Sequence, residues 1–312
     1  MAQHIIVGEC MVEMSSRGDN LYYQTFAGDT FNTAVYFKRC NPTEQVAYWT
    51  AVGDDNISQQ WRSLLASEQL DPWMVQSSAD CTLGLYMIDT DASGERSFAY
   101  WRSNSAARQV MSLSQATMAD PRFSQAKSLF LSGISLAILS DDDKQLLLDQ
   151  VSRLKQQGCL IIFDPNYRPR LWRSVEHARL WTDRAYALAD IAFPGCDDHR
   201  QLYNHQSLSD VQLHVRAMGV QEIVIKNGEH GIQIFSQGQH SIVPAHKVDK
   251  VIDTTAAGDA FNGGYLAARF AGHSEQSSAS FAAKVAAYVI GFRGAIVDKR
   301  AMATFVQSHW LG

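Results

Sequence analysis

The chain has 312 residues, a net charge of −5, and 46% hydrophobic and 19% charged residues. That length can bury a large core, as one big α/β domain or two smaller ones, and the composition is globular rather than disordered. The acidic balance without a basic run disfavours nucleic-acid binding, and no apolar stretch reaches the ~20 residues that span a bilayer. The start, MAQHIIVGECMVEM, lacks the basic and long apolar segments of a signal peptide. Cys10, Cys40, Cys81, Cys159 and Cys196 form no C-x-x-C pair, so neither a disulfide framework nor a zinc site is expected. A cytoplasmic location is the expectation.

In chain order, His4–Val7 is an apolar run closing on Gly8-Glu9, as a buried first strand does. Polar residues over 15–20 precede a strand-like alternation over 21–26. Gly28-Asp29-Thr30 breaks it, and a helix is predicted over 32–39. A second strand over 46–52 ends at Gly53-Asp54, with a helix over 58–67. Between 82 and 102 the character changes. Leu83, Leu85 and Met87, a D-T-D-A-S-G turn, then Ser97, Ala99 and Trp101 alternate with period two, predicting a long-looped hairpin. With 21–26 it is expected to form a small separate sheet.

A regular strand–helix rhythm follows. Strands are predicted at 128–132, 159–164, 191–193 and 222–226, with helices at 141–156, 176–189 and 209–218. A short hairpin at 231–235 and 240–243 leads to two Ala/Gly-rich helices at 259–271 and 276–292. Gly263, Gly264, Ala267 and Ala268 would let the first of these lie close to its neighbours. Alternating strands and helices imply a parallel sheet covered on both faces, with ligands beyond the carboxyl ends of its strands. Gly8-Glu9, Asp164-Pro165-Asn166 and Lys226-Asn227-Gly228 are the polar strand ends expected to converge there. The chain has neither a G-x-x-x-x-G-K-[ST] loop nor a G-x-G-x-x-G after the first strand, which disfavours a P-loop kinase and a standard NAD enzyme. The ten histidines show no metal-ligand spacing.

The stretch over 253–264 reads D-T-T-A-A-G-D-A-F-N-G-G. Ala256, Ala257 and Gly258 form a small-residue turn that can aim backbone N–H groups at an anion, helped by the positive end of a helix dipole. Asp259 beside it could take a proton from an attacking hydroxyl. The same letters also spell an ordinary loop with Asp259 as N-cap.

Three segments together resemble the ribokinase-like (PfkB) sugar kinases: the 253–264 stretch, A-G-D-T-F-N-T-A over 27–34, and D-P-N-Y-R-P-R-L-W over 164–172. The resemblance runs from about residue 4 to 297. It implies an α/β fold in three layers, with a mostly parallel central sheet. One kinase domain would span 1–312, with a β-sheet lid from about 10–27 and 82–103. G-E-C-M-V-E over 8–13, G-E-R-S-F-A-Y-W-R over 94–102 and L-S-G-I-S-L-A-I-L-S over 131–140 resemble the branch that phosphorylates 2-keto-3-deoxygluconate at its 6-hydroxyl with ATP and Mg²⁺. Fructokinase and 5-keto-2-deoxygluconate kinase chemistry are the alternatives within the family. A non-catalytic sugar-acid sensor is the alternative outside it, and the intact A-A-G-D argues against that.

By this resemblance Asp259 is the catalytic base, and Ala256, Ala257 and Gly258 supply the anion hole. A helix N-terminus is expected to hold Asp259 low and make it a weak base. Gly28, Asp29 and Asn32 are the sugar contacts, although Asn32 would also suit a helix N-cap. Tyr86, Tyr100, Arg102 and Arg168 are the sugar-acid contacts, the arginines suiting a carboxylate. Asp164, Asn166, Lys226, Gly228 and Gly231 fall where the family binds nucleotide and Mg²⁺; a plain turn would equally explain Gly231. The family's N-x-x-E metal motif is replaced by Gly195-Cys196-Asp197-Asp198, so no metal ligand is assigned. Ala295 stands where some relatives carry an Asp. Asp253 resembles a residue beside the monovalent-cation loop of some relatives, which adds such a cation to the ligands the resemblance allows. A homo-oligomer, formed through the lid as in many relatives, is the expected assembly.

Overall fold

The computed structural model of the chain describes residues 3–18, 20–90, 96–248 and 250–310. The strands are β1 (His4–Val7), β2 (Met11–Ser16), β3 (Tyr22–Ala27), β4 (Val46–Gly53), β5 (Val75–Ser78), β6 (Gly84–Thr90), β7 (Arg96–Trp101), β8 (Ser128–Ser132), β9 (Leu160–Asp164), β10 (Ile191–Ala192), β11 (Glu222–Lys226), β12 (Ile232–Ser236) and β13 (Gln239–Val243). Nine of them form one sheet in the order β13-β12-β11-β10-β9-β8-β1-β4-β5. All its pairings are parallel except β11–β12 and β12–β13, which form the antiparallel edge.

Near-continuous apolar strands are what a sheet covered on both faces requires. Ile5, Val7, Leu129, Leu131, Ile161 and Phe163 enter one buried core, with Leu147 and Val151 of the helix Asp141–Gln156. Their strand neighbours Ile6, Phe130 and Ile162 point the other way, into a second core with Phe31, Phe37 and Tyr265. The architecture is therefore helix, sheet, helix, in three layers.

In the second core, the helix Ala257–Phe270 lies against Asp29–Cys40 on one side and Glu275–Val289 on the other. The predicted close packing is present. A Cβ at Gly263 would stand 2.7 Å from the Thr33 carbonyl oxygen and from the Phe37 nitrogen, and one at Gly264 3.1 Å from Val285 Cγ2. Two helix N-termini are thereby brought side by side at the strand ends.

The small sheet runs β3-β2-β6-β7, as the alternating 82–102 segment predicts. Part of the predicted turn, residues 91–94, lies outside the described residues. Met11, Ala27, Tyr86 and Ile88 of this sheet share a buried cluster with Ala256 and Ala295, which seats it over the A-A-G-D turn. Strand β2 was not predicted because buried Glu13 interrupts its apolar pattern. The helices Cys196–Tyr203 and Lys299–His309 also went unread, each burying only two side chains.

Candidate active site

The first helix starts at Asp29, three residues before the predicted point, and its N-cap is Gly28. Gly28 is extended, and a Cβ there would meet the Glu9 carbonyl oxygen at 2.2 Å. Glycine is thus demanded by the passage of the chain over the end of β1. Asn32 lies a turn inside this helix and is not its N-cap. Its amide Nδ2 donates to Asp259 Oδ2 at 2.8 Å. Thr33 Oγ1 donates to the carbonyls of both Asp29, at 3.0 Å, and Asp259, at 3.3 Å.

Asp259 is the third residue of its helix and likewise not a cap; Ala256 takes that place, without a side-chain cap. The Ala257 N–H is taken by the Thr254 carbonyl at 3.2 Å. Gly258 and Asp259 carry the N–H groups that a helix's first turn cannot satisfy internally.

The strand ends close the network. Asn166 sits in the left-handed region at φ 32°, a conformation Asn tolerates better than most residues. There its backbone N–H reaches Asp164 Oδ1 at 3.1 Å and its amide donates to Asp29 Oδ2 at 2.8 Å. Asp164 Oδ2 accepts from Lys226 Nζ and from Asn262 Nδ2, both at 2.6 Å. The side chain of Asn166 therefore supports the start of the Asp29–Cys40 helix, while Asp164 faces the end of β11. Asn262 was not singled out from the sequence. Its signal was present, since it stands one helical turn beyond Asp259 and so shares its face.

The expectation that the helix terminus holds Asp259 low is reversed. Asp259 is half-buried, and its withdrawal from water, together with the nearby Asp29 and Asp164 carboxylates, raises it to about 8. The Asn32 hydrogen bond and Lys226 pull the other way and do not prevail. Asp198 is pushed up to about 6, mainly by burial and then by Asp164, against Arg168 and Lys226. In the sequence it closes the segment that replaces the N-x-x-E motif, and no role was assigned to it there.

Beside these carboxylates opens a cleft of about 430 Å³, lined by Asp198, Arg200, Lys226, Gly228 and His230 among others. Gly228 has φ 53° and only open space where a Cβ would be. Gly231, at φ 90°, would place a Cβ 2.5 Å from the Val243 carbonyl oxygen, so the hairpin turn itself requires glycine. It does not line the cleft.

Arg168 is 54% exposed and lies 3.6 Å from Asp198. Arg102 is paired with Glu9, and the Tyr86 hydroxyl donates to Glu13. Tyr100 stacks on Tyr86 with ring centroids 5.8 Å apart. Ala295 is buried, and its carbonyl accepts from the Tyr36 hydroxyl at 2.8 Å. The Asp253 carboxylate accepts from Thr255 N–H at 2.9 Å and from Gly294 N–H at 3.1 Å. No group of three or more His, Cys, Asp or Glu suited to a metal ion occurs among the described residues. No helix there is long and apolar enough to cross a membrane.

A carboxylate that binds its proton readily, set at a helix N-terminus beside a polar cleft, suits an enzyme that moves an anionic group onto a hydroxyl. The chain belongs to the pfkB family of carbohydrate kinases, whose pattern matches residues 4–301. It is 40% identical over 302 residues to the 2-dehydro-3-deoxygluconokinase of Escherichia coli K12, covering 95% of this chain and 97% of that one. The enzyme of the same name from Haemophilus influenzae is 34% identical, with 97% and 98% covered. Among solved structures, a fructokinase with bound ATP from Xylella fastidiosa superposes with a TM-score of 0.84 at 21% identity, covering 99% of each chain. A putative ribokinase II with ATP and Mg²⁺ from E. coli also scores 0.84, at 20% identity, with 99% and 100% covered.

Proposed function

We propose that the protein transfers the γ-phosphoryl group of ATP to the 6-hydroxyl of 2-keto-3-deoxy-D-gluconate, in sugar-acid breakdown in the cytoplasm. The observation that carries the chemistry is Asp259, raised in pKa, hydrogen-bonded by Asn32 and set in the first turn of a helix. The relatives at 34–40% identity support the choice of substrate.

In this reading the hydroxyl oxygen bonds to the γ-phosphorus as its bond to the β–γ bridging oxygen breaks. The hydroxyl proton passes to Asp259, and ADP leaves. Phosphoryl transfer has a loose transition state, so positioning and charge stabilisation do most of the work. The N–H groups of Gly258 and Asp259 face the transferring group, as a helix N-terminus does an anion. Gly28, Asp29 and Asn32 hold the sugar. Arg102 and Arg168 take its carboxylate, and Tyr86 and Tyr100 border it. Lys226 and Gly228 receive the nucleotide.

The residues present fit Mg²⁺ arriving with ATP, because the Asp198 and Asp164 carboxylates lie close enough to repel each other, which adds to burial in raising Asp198 to about 6. Those two carboxylates would hold the ion, which neutralises phosphate oxygens. The chain works as one kinase domain with the small sheet as its lid. Exposed Leu21, Tyr23, Phe98, Tyr100 and Trp101 on that sheet and its border support pairing with a second copy there. Locating the product's phosphate by ³¹P and ¹³C NMR tests the reaction. Phosphate on C6 is expected, and phosphate on another carbon, or no product, defeats it.

A further inference from the structure

Beneath the small sheet lies an ion pair that the phosphoryl-transfer chemistry does not use. Glu9, directly after β1, is 2% exposed, and its Oε2 accepts from Arg102 Nη2. Its other oxygen, Oε1, is buried without a hydrogen-bond partner among the described residues, and so is Arg102 Nε. Gly84, at the start of β6, makes the space. A Cβ there would stand 2.7 Å from Glu9 Oε1 and 3.2 Å from Arg102 Cβ. Three separate segments therefore converge on one contact. The Arg102 side chain is 13% exposed against 1% for Glu9, so the pair is sealed at the carboxylate and less completely buried on the arginine side.

A buried ion pair with unpaired atoms is a weak stabiliser, and apolar side chains often serve as well in its place. It does restrain a long, flexible side chain before any ligand arrives. Arginine carries five N–H donors in a planar fork, and a single bond to Glu9 leaves donors for a second carboxylate. We propose that Glu9 is a positioning residue that holds Arg102 ready for the carboxylate of a sugar acid, and thereby sets preference for the acid over a neutral sugar. The proposal rests on the reading of Arg102 as the carboxylate contact.

The test is Glu9→Gln, Arg102→Ala and the double variant, each checked for a wild-type melting profile. Glu9→Gln should raise KM for 2-keto-3-deoxygluconate about tenfold, as expected for a disturbed charge-assisted contact, with KM for ATP within about twofold. In the Arg102→Ala background it should add little, because two residues acting through one contact are not additive. Gly84→Ala, which presses on the same pair, should reproduce the KM effect and stands in if Glu9→Gln does not fold. If Arg102→Ala raises KM while Glu9→Gln and Gly84→Ala leave it unchanged, or if the single effects simply add, the positioning role is wrong. If Arg102→Ala itself leaves KM unchanged, the carboxylate contact is wrong and the positioning role falls with it.

Discussion

Replacing Asp259 by Asn separates chemistry from architecture. The two side chains have the same shape, and the Asn32 amide now 2.8 Å from Asp259 Oδ2 can donate equally to an amide oxygen. The helix pairing should therefore survive. What is lost is the proton acceptor, and general-base catalysis is worth about 10²–10⁴ in rate, or about 3–5 kcal/mol of barrier. Stability should move the other way. Burial and the Asp29 and Asp164 carboxylates raise the folded-state pKa of Asp259 above its unfolded value. Between those two values the folded protein holds a proton that the unfolded chain does not, so wild-type stability falls as pH rises through that window. Asn cannot titrate. The variant should match wild type near pH 4 and melt at an equal or higher temperature at pH 8. A coupled ADP-release assay at saturating substrates, with calorimetric melts at both pH values, reads both effects. Near-wild-type kcat, or a lower melting temperature at pH 8, would refute the reasoning.

The same raised pKa predicts that wild-type kcat/KM keeps climbing with pH above the ordinary carboxylate range, while the Asp259→Asn profile lacks that limb. A wild-type plateau reached by pH 5–6, about where an unperturbed carboxylate is fully ionised, would count against it. Lys226→Met removes the cation 2.6 Å from Asp164 at the edge of the cleft, and should raise KM for ATP by about tenfold or more. An ATP titration that overlays wild type would remove Lys226 from the nucleotide site. Gly263→Ala forces a methyl against Thr33 and Phe37, and overpacking of this kind costs about 1–3 kcal/mol. Urea melts should show that loss, and an unchanged midpoint would mean that the two helices can separate freely.

Where the placement of a segment is written in contiguous letters, the sequence was a good guide. The A-A-G-D turn, the G-D-T-F-N loop and the strand-end D-P-N all sit at helix or strand termini, because short local patterns specify those termini. The small glycines of 263–264 announced close helix packing for the same reason. What was not legible depends on contacts far apart in the chain. Asn32 meets Asp259 across 227 positions, and Asn166 meets Asp29 across 137. Local reading gave the helix dipole as the main influence on Asp259. Burial and two carboxylates from other segments outweigh it. Glu9 was read only as part of a polar strand end and Glu13 only as a letter of a motif, since nothing local shows that a strand-end carboxylate will be sealed under Arg102, or a mid-strand one against Tyr86.

The central claim is substrate choice, and the most direct measurement is kcat/KM for ATP-dependent turnover of 2-keto-3-deoxygluconate, fructose and 5-keto-2-deoxygluconate by the purified protein. 2-Keto-3-deoxygluconate should be favoured over fructose by at least about 100-fold, since a site that hydrogen-bonds a carboxylate leaves its donors unpaired with a substrate that lacks one. It should also be turned over with a higher kcat/KM than 5-keto-2-deoxygluconate, which shares the carboxylate. Preference for either alternative substrate, or no ADP release with any of the three, would contradict it.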